Sequence, residues 1–337
     1  MLNGLLARIF PAKQPACCGV EIIRDEATAP PIKVSNAVCG RPAAKRSTHI
    51  PLVPVVYATN AFLIRRAEML RGMPGNPYDV QIKHHGLVTG ILVGRAPTPA
   101  LNRVFGANLE DSSLVSEFDA WFAQTRATPA YQVLEPSEQA TTPPPGFAKV
   151  PGWDHVILEK DELDPDREGD GKIDVTADLQ VERITRQGAE TFVQIYAQAF
   201  DYPSSIVQPL CRSVELLIGQ PDVYSYVVKA SGEPVAVGQL FLSEYGAAFL
   251  GSTGTLPAAR RLGCQLLLDH QRLLDAHAAG YRQLCRTVAL NSQSWRNSLR
   301  GGYRAIYHEA VYAPPRNVVQ PKASRAGCCT VEFNRNS

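Results

Sequence analysis

The chain has 337 residues, of which 45% are hydrophobic and 20% charged. This composition is ordinary for a water-soluble globular protein, and the length favours two domains over one. A formal net charge of +2 is too small to favour nucleic acid or an anionic membrane as a partner. No apolar stretch approaches the roughly 20 residues that cross a bilayer, and the apolar first ten residues lack the basic start and cleavage site of a signal peptide. We therefore expect a cytoplasmic protein with neither membrane nor nucleic-acid partners.

The first half of the chain predicts an arm followed by a small mixed α/β domain. Residues 1–49 mix Pro, Ala, Lys and Thr without a sustained hydrophobic period, which predicts a flexible arm. The domain is expected over residues 50–158. Its predicted elements, in chain order, are a strand at Pro51–Ala58, a helix from Thr59 or Asn60 to Leu70, strands at Tyr78–Lys83 and Leu87–Gly94, a helix at Ser112–Thr125, and strands at Tyr131–Leu134 and Val156–Leu158.

A charged segment separates this half from the next. Twelve of the twenty residues in 159–178 are charged, which predicts a solvated linker. Residues 179–315 then give a regular series of elements and 316–337 a second tail. The series comprises strands at Gln180–Ile184, Val223–Ala230, Val235–Leu242, Ala247–Thr255, Gln283–Ala289 and Tyr303–Tyr312, and helices at Ala189–Phe200, Ser205–Gly219, Gly263–Ala279 and Ser294–Arg300.

The turn before the long helix of the second half has the features of an anion site. An apolar strand ends at Pro257, a short basic loop follows, and Gly263 opens the helix. The first turn of a helix leaves backbone N–H groups unpaired, and the helix dipole adds about half a positive charge there. Gly263 allows close approach of a ligand, and Arg260 and Arg261 supply donors for phosphate oxygens. Such a turn alone is weak evidence, because most basic glycine turns bind nothing.

The order of the elements makes the turn more informative. Strand, two helices, three antiparallel strands, a basic glycine turn, a long helix, strand, helix and strand resemble the GCN5-related N-acetyltransferase fold. Arg260-Arg-Leu-Gly263-Cys-Gln265 resembles the family signature Arg/Gln-x-x-Gly-x-Gly/Ala, except that Gln265 stands where Gly or Ala is usual. The segment from Asn291 to Tyr303 also resembles a subset of the family.

The resemblance implies an α/β (α+β) fold, with a mixed, mostly antiparallel sheet flanked by helices. It also implies an enzyme that binds acetyl-CoA or another acyl-CoA and transfers the acyl group to an amine by direct attack on the thioester. Ser294, Arg296 and Asn297 would flank the pantetheine arm. The cofactor-binding residues implied are Leu250, Thr253, Thr255, Arg260, Arg261, Leu262, Gly263, Cys264, Gln265, Ser294 and Asn297.

The catalytic acid and base are left open by the sequence. The acid usual in the family is a Tyr five residues before the aromatic residue of the final Gly-aromatic pair, and this chain has Ser298 there. Glu244, Ser252 and Tyr303 are candidates, but a solvated turn explains Glu244 and packing explains Tyr303 equally simply. The family's usual acid is therefore absent.

The first half predicts a shortened echo of the second. The segment Val88 to Gly106 resembles tandem members of the family, in which a degenerate first copy precedes a working one. The residues before the predicted helix at Ser112 are acidic, so we expect this half to build the acceptor pocket instead of binding CoA. Asn102 and Arg103 are candidates to line that pocket, although a structural role explains both equally well.

Paired cysteines occur in both tails. Cys17 and Cys18 lie in Cys-Cys-Gly-Val-Glu-Ile, and Cys328 and Cys329 lie in Cys-Cys-Thr-Val-Glu-Phe. If the tails pair, four thiols meet, and Cys39 is a possible fifth. Thiolates select soft metals or metalloids, but a reversible disulfide or no function at all fits the pattern as well. The single cysteines of the patterned segments, Cys211, Cys264 and Cys285, are expected to be buried free thiols.

Two further patterns have simpler explanations than metal binding. The run from Asp166 resembles the start of a calcium loop, but Ala177 stands where a bidentate acid is needed. His84 and His85 lie at the end of a predicted strand with no Cys or acid at ligand spacing, and adjacent strand residues point to opposite faces. We interpret the first as linker and the second as surface.

The sequence thus predicts an acyl-CoA-dependent N-acyltransferase acting on a small amine or amino-acid-like acceptor. Related thioester chemistry such as acyl-CoA decarboxylation remains open because the usual acid is missing. The rival is a non-catalytic acyl-CoA-binding regulator or scaffold that senses soft metal or redox state and meets a protein partner through its arms. The oligomeric state is not predicted.

Overall fold

The computed structural model describes residues 54–96, 98–125, 127–136, 146–161, 178–200 and 204–314. The predicted arm, most of the acidic linker and the second tail lie outside the described residues, and so do the four paired cysteines and the calcium-like run. The helices are α1 (Pro54–Arg71), α2 (Ser112–Phe122), α3 (Ala189–Ala199), α4 (Ser204–Glu215), α5 (Cys264–Ala278) and α6 (Gln293–Arg300). The strands are β1 (Val80–His85), β2 (Val88–Val93), β3 (Arg103–Phe105), β4 (Tyr131–Pro136), β5 (Ala148–Lys160), β6 (Leu179–Ile184), β7 (Val223–Ala230), β8 (Glu233–Leu242), β9 (Ala248–Thr255), β10 (Leu284–Ala289) and β11 (Arg304–Ala313).

The strands form one mixed sheet. Its order is β1-β2-β3-β4-β11-β5-β10-β9-β8-β7-β6. The pairs β3–β4 and β10–β9 are parallel and the other pairs are antiparallel. The sheet is therefore mixed and mostly antiparallel, as the resemblance implied.

The two halves repeat one arrangement of strands. In the first half, β1, β2 and β3 are antiparallel neighbours, α2 follows, and β4 runs parallel to β3. In the second half, β7, β8 and β9 are antiparallel neighbours, α5 follows, and β10 runs parallel to β9. A long helix therefore connects the third and fourth strands of each half, as a parallel connection requires.

Strand β5 joins the halves. It lies between β10 and β11 and pairs antiparallel with both, for example Ala289 with His155 and His155 with Glu309. Strand β11 in turn pairs with β4. The last strand before the linker thus lies among strands that follow the linker, so both halves share one hydrogen-bonded sheet.

Helices cover both faces of the sheet. Alternate residues of β9 show the division, because Phe249 packs in a cluster with α1 residues and Leu250 packs in a cluster with α5 residues. Helices α3 and α4 pack on the α1 side, and α2 packs against Val88 and Leu92 on the other face of β2. In the described part of the chain, no helix is long and apolar enough to cross a membrane.

One predicted element is wrong and one was missed. The strand expected at Pro51–Ala58 is absent over Pro54–Ala58, which forms the first turn of α1. Val55 and Val56 suggested a strand because they are β-branched, but both are fully buried between the helix and the sheet, and this packing outweighs propensity. Strand β3 has only three residues, too few to show an alternating pattern.

Candidate active site

A wedge opens in the sheet between β9 and β10. The two parallel strands pair at only two positions, Ala248 with Leu284 and Phe249 with Cys285. Both strands continue, and the residues from Leu250 to Thr255 keep β8 as their partner on the other side. Within the described residues, the ladder between β9 and β10 therefore ends after two residue pairs. Beyond them, the backbone of β9 borders the opening.

A bulge lies on β9 at this opening. Val237 of β8 pairs with Gly254 and Gln239 pairs with Gly251, so the intervening residues of β9 exceed those of β8 by one. Ser252, in the bulge, has a φ of 46°, a left-handed conformation that is uncommon for a residue with a side chain. Its buried hydroxyl has no hydrogen-bond partner among the described residues. The bulge leaves Ser252 and Thr253 without partners in the β8 ladder, on the part of β9 that borders the wedge.

A buried arginine holds the bulge from the α5 side. Nη1 of Arg272 donates to the Thr253 hydroxyl at 2.8 Å and to the Gln239 carbonyl at 3.2 Å. Nη2 donates to the Asp269 carboxylate at 2.5 Å. Gly238 makes room for this guanidinium, because a Cβ there would lie 2.9 Å from Nη1. The bulge is therefore fixed by a charged network, not left to the backbone alone.

The glycine turn before α5 has the geometry of an anion site. Gly263 is the N-cap with a φ of 94°, and among the described residues no side chain caps the helix. Arg261 also has a positive φ of 72°, and both Arg260 and Arg261 are exposed. Nη2 of Arg260 donates to the Ala199 carbonyl at 3.2 Å, which tethers the loop to the end of α3. The helix terminus thus presents its N–H groups beside two guanidinium groups.

The corresponding helix of the first half, α2, has a different N-terminus. The carboxylate of Asp111 caps α2 and accepts from the N–H groups of Ser113 and Leu114, each at 3.1 Å. The chain thus supplies its own anion at this helix terminus. An external phosphate would meet a carboxylate at α2 and free N–H groups at α5.

Gln265 connects α5 to α6. Its amide Nε2 donates to the Ser294 hydroxyl at 3.1 Å, and its Oε1 accepts from Nδ2 of Asn297 at 3.0 Å. The sequence placed all three residues at the cofactor, and the structure brings them together. A Gly or Ala at position 265 would not make this bridge. The departure from the family signature therefore has a structural role.

The remaining residues of the predicted cofactor set are nearby in chain and space. Leu250 and Cys264 belong to the buried core under α5, and Leu262 packs against that core. Burial raises the pKa of the Cys264 thiol, so Cys264 is unsuited to act as a nucleophile. Cys211, Cys264 and Cys285 are all buried free thiols, which confirms that expectation.

The three catalytic candidates are dispersed. Glu244 lies in the turn between β8 and β9, at the closed end of the wedge, and is exposed. Tyr303 is buried beneath Arg286, whose guanidinium carbon lies 5.5 Å from the ring centre. Burial raises the pKa of Tyr303, which makes its hydroxyl a poorer acid for a departing thiolate. Of the three, only Ser252 lies on the part of β9 that borders the wedge.

Ser298 stands where the resemblance predicted an acid, and its hydroxyl makes a contact within its own helix. Its side chain is 1% exposed, and its hydroxyl donates to the Ser294 carbonyl of the same helix at 2.9 Å. Such a bond is internal to α6. Ser298 therefore leaves the acid position without an ionisable group.

The two acceptor candidates have different environments. Asn102 is fully buried, accepts from the Val93 N–H at 2.7 Å and donates to the carbonyls of Ala96 and Thr98. Its amide is thus used to hold the loop before β3. Arg103 instead extends across the sheet, and its Nη1 donates to Glu309 at 2.7 Å.

The two adjacent histidines contact different neighbours. His85 lies 2.7 Å from the Glu117 carboxylate, and Nδ1 of His84 lies 3.1 Å from the Thr89 hydroxyl. Across the described ranges, no group of three or more His, Cys, Asp or Glu residues is arranged to hold a metal ion.

Known structures define the fold. A GCN5-related N-acetyltransferase from Kribbella flavida is similar to 79% of this chain over 96% of its own length, with 16% identity and a TM-score of 0.55. A conserved protein of unknown function from Staphylococcus epidermidis matches 70% of this chain over 95% of its own, with 12% identity and a TM-score of 0.52. No protein-family model matches the chain, and no curated protein sequence does. The chain therefore has the GCN5-related N-acetyltransferase fold. Sequence identities of 12–16% support a shared fold and no shared activity.

Three parts of this site were not predicted from sequence. They are the bulge at Ser252, the Arg272 network behind it and the buried contact between Arg103 and Glu309. A charged residue within an apolar helix face, as Arg272 is among Leu268 and Leu273, was the one available signal. The others depend on strand register and on contacts between residues distant in the chain.

Proposed function

We propose that the protein is an acyl-CoA-dependent N-acyltransferase, with acetyl-CoA as the first acyl donor to test. The observation that carries this proposal is the uncapped terminus of α5, flanked by Arg260 and Arg261 and adjacent to the wedge beside β9. A pyrophosphate would accept from the free N–H groups of that turn, with Gly263 allowing close approach. The fold similarity supports the same class of activity.

Several buried polar atoms fit the remainder of such a ligand. Nε of Arg286 and Nε1 of Trp295 are buried donors without a partner among the described residues. They belong to β10 and α6 on the α5 side of the sheet, where the amide carbonyls of a pantetheine arm would need donors. Ser294 and Asn297 already bind each other through Gln265, so they would form one wall of that groove.

The chemistry supported by the wedge is direct attack of an amine on a thioester. Free backbone N–H groups of β9 at the bulge would polarise the thioester carbonyl, and their strand fixes them in place before reaction. The N–C bond forms, the C–S bond breaks, and the amine gives its proton to water. Because Ser298 lacks an acidic proton, the departing thiolate would take its proton from water or leave as the anion.

The first half of the chain is proposed to be a degenerate copy that contributes to the acceptor side. It repeats the strand and helix order of the second half, but Asp111 occupies the anion position of its helix. The division into a first domain at 50–158 and an acyltransferase domain at 179–315 is proposed on the same ground. A small-molecule amine is the proposed acceptor.

A second candidate is a protein that binds acyl-CoA without turning it over. The observation in its favour is Ser298, which is used within α6 and replaces the usual acid. Calorimetric titration with acetyl-CoA, followed by release of free thiol in the presence of an amine panel, separates the two. Binding with turnover supports the enzyme, binding without turnover on any amine supports the second candidate, and absence of binding contradicts both.

Two glycines at opposite ends of α5 locate the site. Gly263 and Gly280 both have left-handed φ values, 94° and 91°, so Asp strains the backbone at either position. Gly263→Asp also places a carboxylate at the proposed phosphate position, and we expect acetyl-CoA affinity to fall at least tenfold. Gly280→Asp is the matched control and should retain affinity. Arg260→Glu should weaken acetyl-CoA binding as well. Arg282→Glu, at an exposed position after the other end of α5, is its control and should leave binding unchanged.

A further inference from the structure

Four buried polar side chains form a cluster on the α1 face of the sheet. They are Asn60 of α1, Arg103 of β3, Gln132 of β4 and Glu309 of β11, each no more than 8% exposed. Glu309 Oε1 accepts from Arg103 Nη1 at 2.7 Å and from Gln132 Nε2 at 3.1 Å. Gln132 Nε2 also donates to Asn60 Oδ1 at 3.1 Å. We call these four residues the Glu309 cluster.

Two atoms of the Glu309 cluster lack partners among the described residues. They are the second carboxylate oxygen, Glu309 Oε2, and the amide oxygen, Gln132 Oε1. The orientation of the Gln132 amide is fixed, because its nitrogen lies against a carboxylate oxygen that can only accept. Both unpartnered atoms are therefore acceptors. A buried acceptor without a donor is unfavourable, so the cluster is complementary to a ligand that brings hydrogen-bond donors.

The cluster lies two strands from the wedge. In the sheet, Glu309 is directly opposite His155 of β5, and His155 is directly opposite Ala289 of β10. Opposite residues of antiparallel strands share a face. Two strand spacings of about 4.8 Å each place Glu309 roughly 9.6 Å from the β10 backbone at the wedge.

This row of residues opens toward solvent at its β10 end. Ala289 is exposed, His155 and Thr287 are partly exposed, and Glu309 is 1% exposed. The Thr287 hydroxyl is a further buried atom without a partner in the described part of the chain. Trp153 forms a wall, with its ring centre 5.5 Å from that of His155 and 5.0 Å from the guanidinium carbon of Arg103. Exposure therefore decreases along the row, from Ala289 beside the wedge to the buried, polar Glu309 cluster.

We propose that the acceptor lies along this row and is an amine carrying a second hydrogen-bond donor, as in an amino alcohol or a diamine. The attacking nitrogen lies at the wedge, and the distant donor binds Glu309 Oε2 and Gln132 Oε1. This inference rests on the proposed acyltransferase function. It narrows the substrate class, because an acceptor ending in a carboxylate would meet two unpartnered acceptors, one of which is an oxygen of the Glu309 carboxylate.

The charges around the cluster leave the carboxylate of Glu309 available. Arg103 is its ion-pair partner at 2.7 Å, and Nε of Arg103 donates to the Pro99 carbonyl. Arg66 of α1 is the next buried cation, and it donates to the Ser213 hydroxyl and the Leu210 carbonyl. The pKa of His155 is lowered, chiefly by burial. The nearby carboxylates of Glu309 and Asp154 raise it and the Arg103 guanidinium lowers it, but burial is the largest effect. His155 is thus a neutral neighbour at pH 7.

The test compares four amines of equal chain length by calorimetry on the full chain saturated with CoA. The probes are 5-aminopentan-1-ol, 1,5-diaminopentane, pentylamine and 5-aminopentanoate. We expect the amino alcohol or the diamine to bind at least tenfold tighter than pentylamine, and 5-aminopentanoate to bind weakest. Equal affinity for pentylamine and both donor-bearing amines, or a preference for the carboxylate, would overturn the proposal.

A variant assigns the selectivity to the cluster. Gln132→Met removes Oε1 while leaving the ion pair of Arg103 and Glu309 in place. It should reduce affinity for the preferred amine about tenfold, to the level of pentylamine, with pentylamine itself unchanged. Ser225→Ala, at a residue 1% exposed and distant in the sheet, is the control and should bind all four probes as the wild type does. Retained selectivity in a folded Gln132→Met protein would contradict the assignment.

The outcomes separate this inference from the function on which it rests. If acetyl-CoA does not bind the wild type, the acyltransferase proposal fails. If acetyl-CoA binds and an amine is acetylated, but the four probes are not discriminated, only the acceptor assignment fails. The comparison of probes on the wild type decides this even if Gln132→Met does not fold.

Discussion

Nη1 of Arg272 lies 2.8 Å from the hydroxyl of Thr253, and this contact connects the long helix α5 to the bulge of β9. The guanidinium is fully buried and also binds the Gln239 carbonyl on the neighbouring strand. Asp269 joins Arg272 to Arg286, with distances of 2.5 Å and 2.6 Å. The network spans the wedge, since Thr253 is on one side of it and Arg286 on the other.

Displacing this guanidinium should impair turnover more than cofactor binding. In Gly238→Ala the new Cβ would lie 2.9 Å from Nη1 of Arg272, so the guanidinium must shift. We expect kcat to fall at least tenfold with acetyl-CoA affinity within about threefold of the wild type, because the bulge moves while the α5 terminus does not. Steady-state kinetics and calorimetry measure the two quantities. Gly72→Ala, where the nearest atom would be 3.4 Å away, is the control. An unchanged kcat in Gly238→Ala would show that the network does not position the bulge.

Removing the Asp111 cap should destabilise α2 without creating a second acetyl-CoA site at its N-terminus. Asp111→Ala removes the cap of α2 and should lower the free energy of unfolding by about 1 kcal/mol. We expect acetyl-CoA to bind at one site per chain in both the wild type and the variant, because α2 lacks basic residues like Arg260 and Arg261. Denaturant titration and calorimetric stoichiometry test this. A second binding site in Asp111→Ala would show that the cap alone prevents binding to the first half.

An acid cannot simply be restored at position 298. The Ser298 side chain is 1% exposed, so Ser298→Tyr would insert a ring into packed space and should lower the free energy of unfolding by about 1–3 kcal/mol. Ser298→Ala removes a hydrogen bond within α6 and should cost about 1 kcal/mol with kcat unchanged. Thermal denaturation and thiol-release kinetics measure both. A large loss of kcat in a stable Ser298→Ala protein would give Ser298 a catalytic role.

His155 should make stability depend on pH in mildly acidic solution. Its pKa is lowered from 6.5 in the folded protein, chiefly by burial, so the unfolded state binds a proton more readily than the folded state. The free energy of unfolding should therefore carry no penalty from His155 above about pH 6.5, where the imidazole is neutral in both states. It should decrease as the pH falls below that value, because the unfolded state then takes up a proton more readily.

Replacing His155 tests this dependence. His155→Asn should flatten the decrease in melting temperature between pH 7 and pH 5 relative to the wild type. Between pH 8 and pH 9, where this imidazole is neutral in both the folded and the unfolded state, the two proteins should show the same change in melting temperature, which is the internal control. Identical slopes in the wild type and His155→Asn would show that the folded and unfolded pKa values of this residue are equal.

The sequence predicted most elements because their signals are local. Alternating apolar residues gave β7 to β10, and the Gly263 turn gave the start of α5, within one or two residues of the structure. The helix ends at Phe122 and Glu215 came three and four residues earlier than predicted, since the final residues of each segment form turns. The strand predicted at Val156–Leu158 is part of a 13-residue strand, Ala148–Lys160. Its first half was missed because it lacks a regular apolar pattern.

By itself, the sequence determined the glycine turn that we propose as the anion site. A glycine with a left-handed φ, two adjacent arginines and the start of a helix are contiguous, so their geometry follows from the local backbone. The tertiary structure alone decided the rest of the candidate site. The bulge at Ser252, the contact of Arg272 with Thr253 and the unpartnered oxygens of Glu309 and Gln132 depend on strand register and on residues up to 206 positions apart. Such contacts are set by how the sheet is assembled, which no local pattern records.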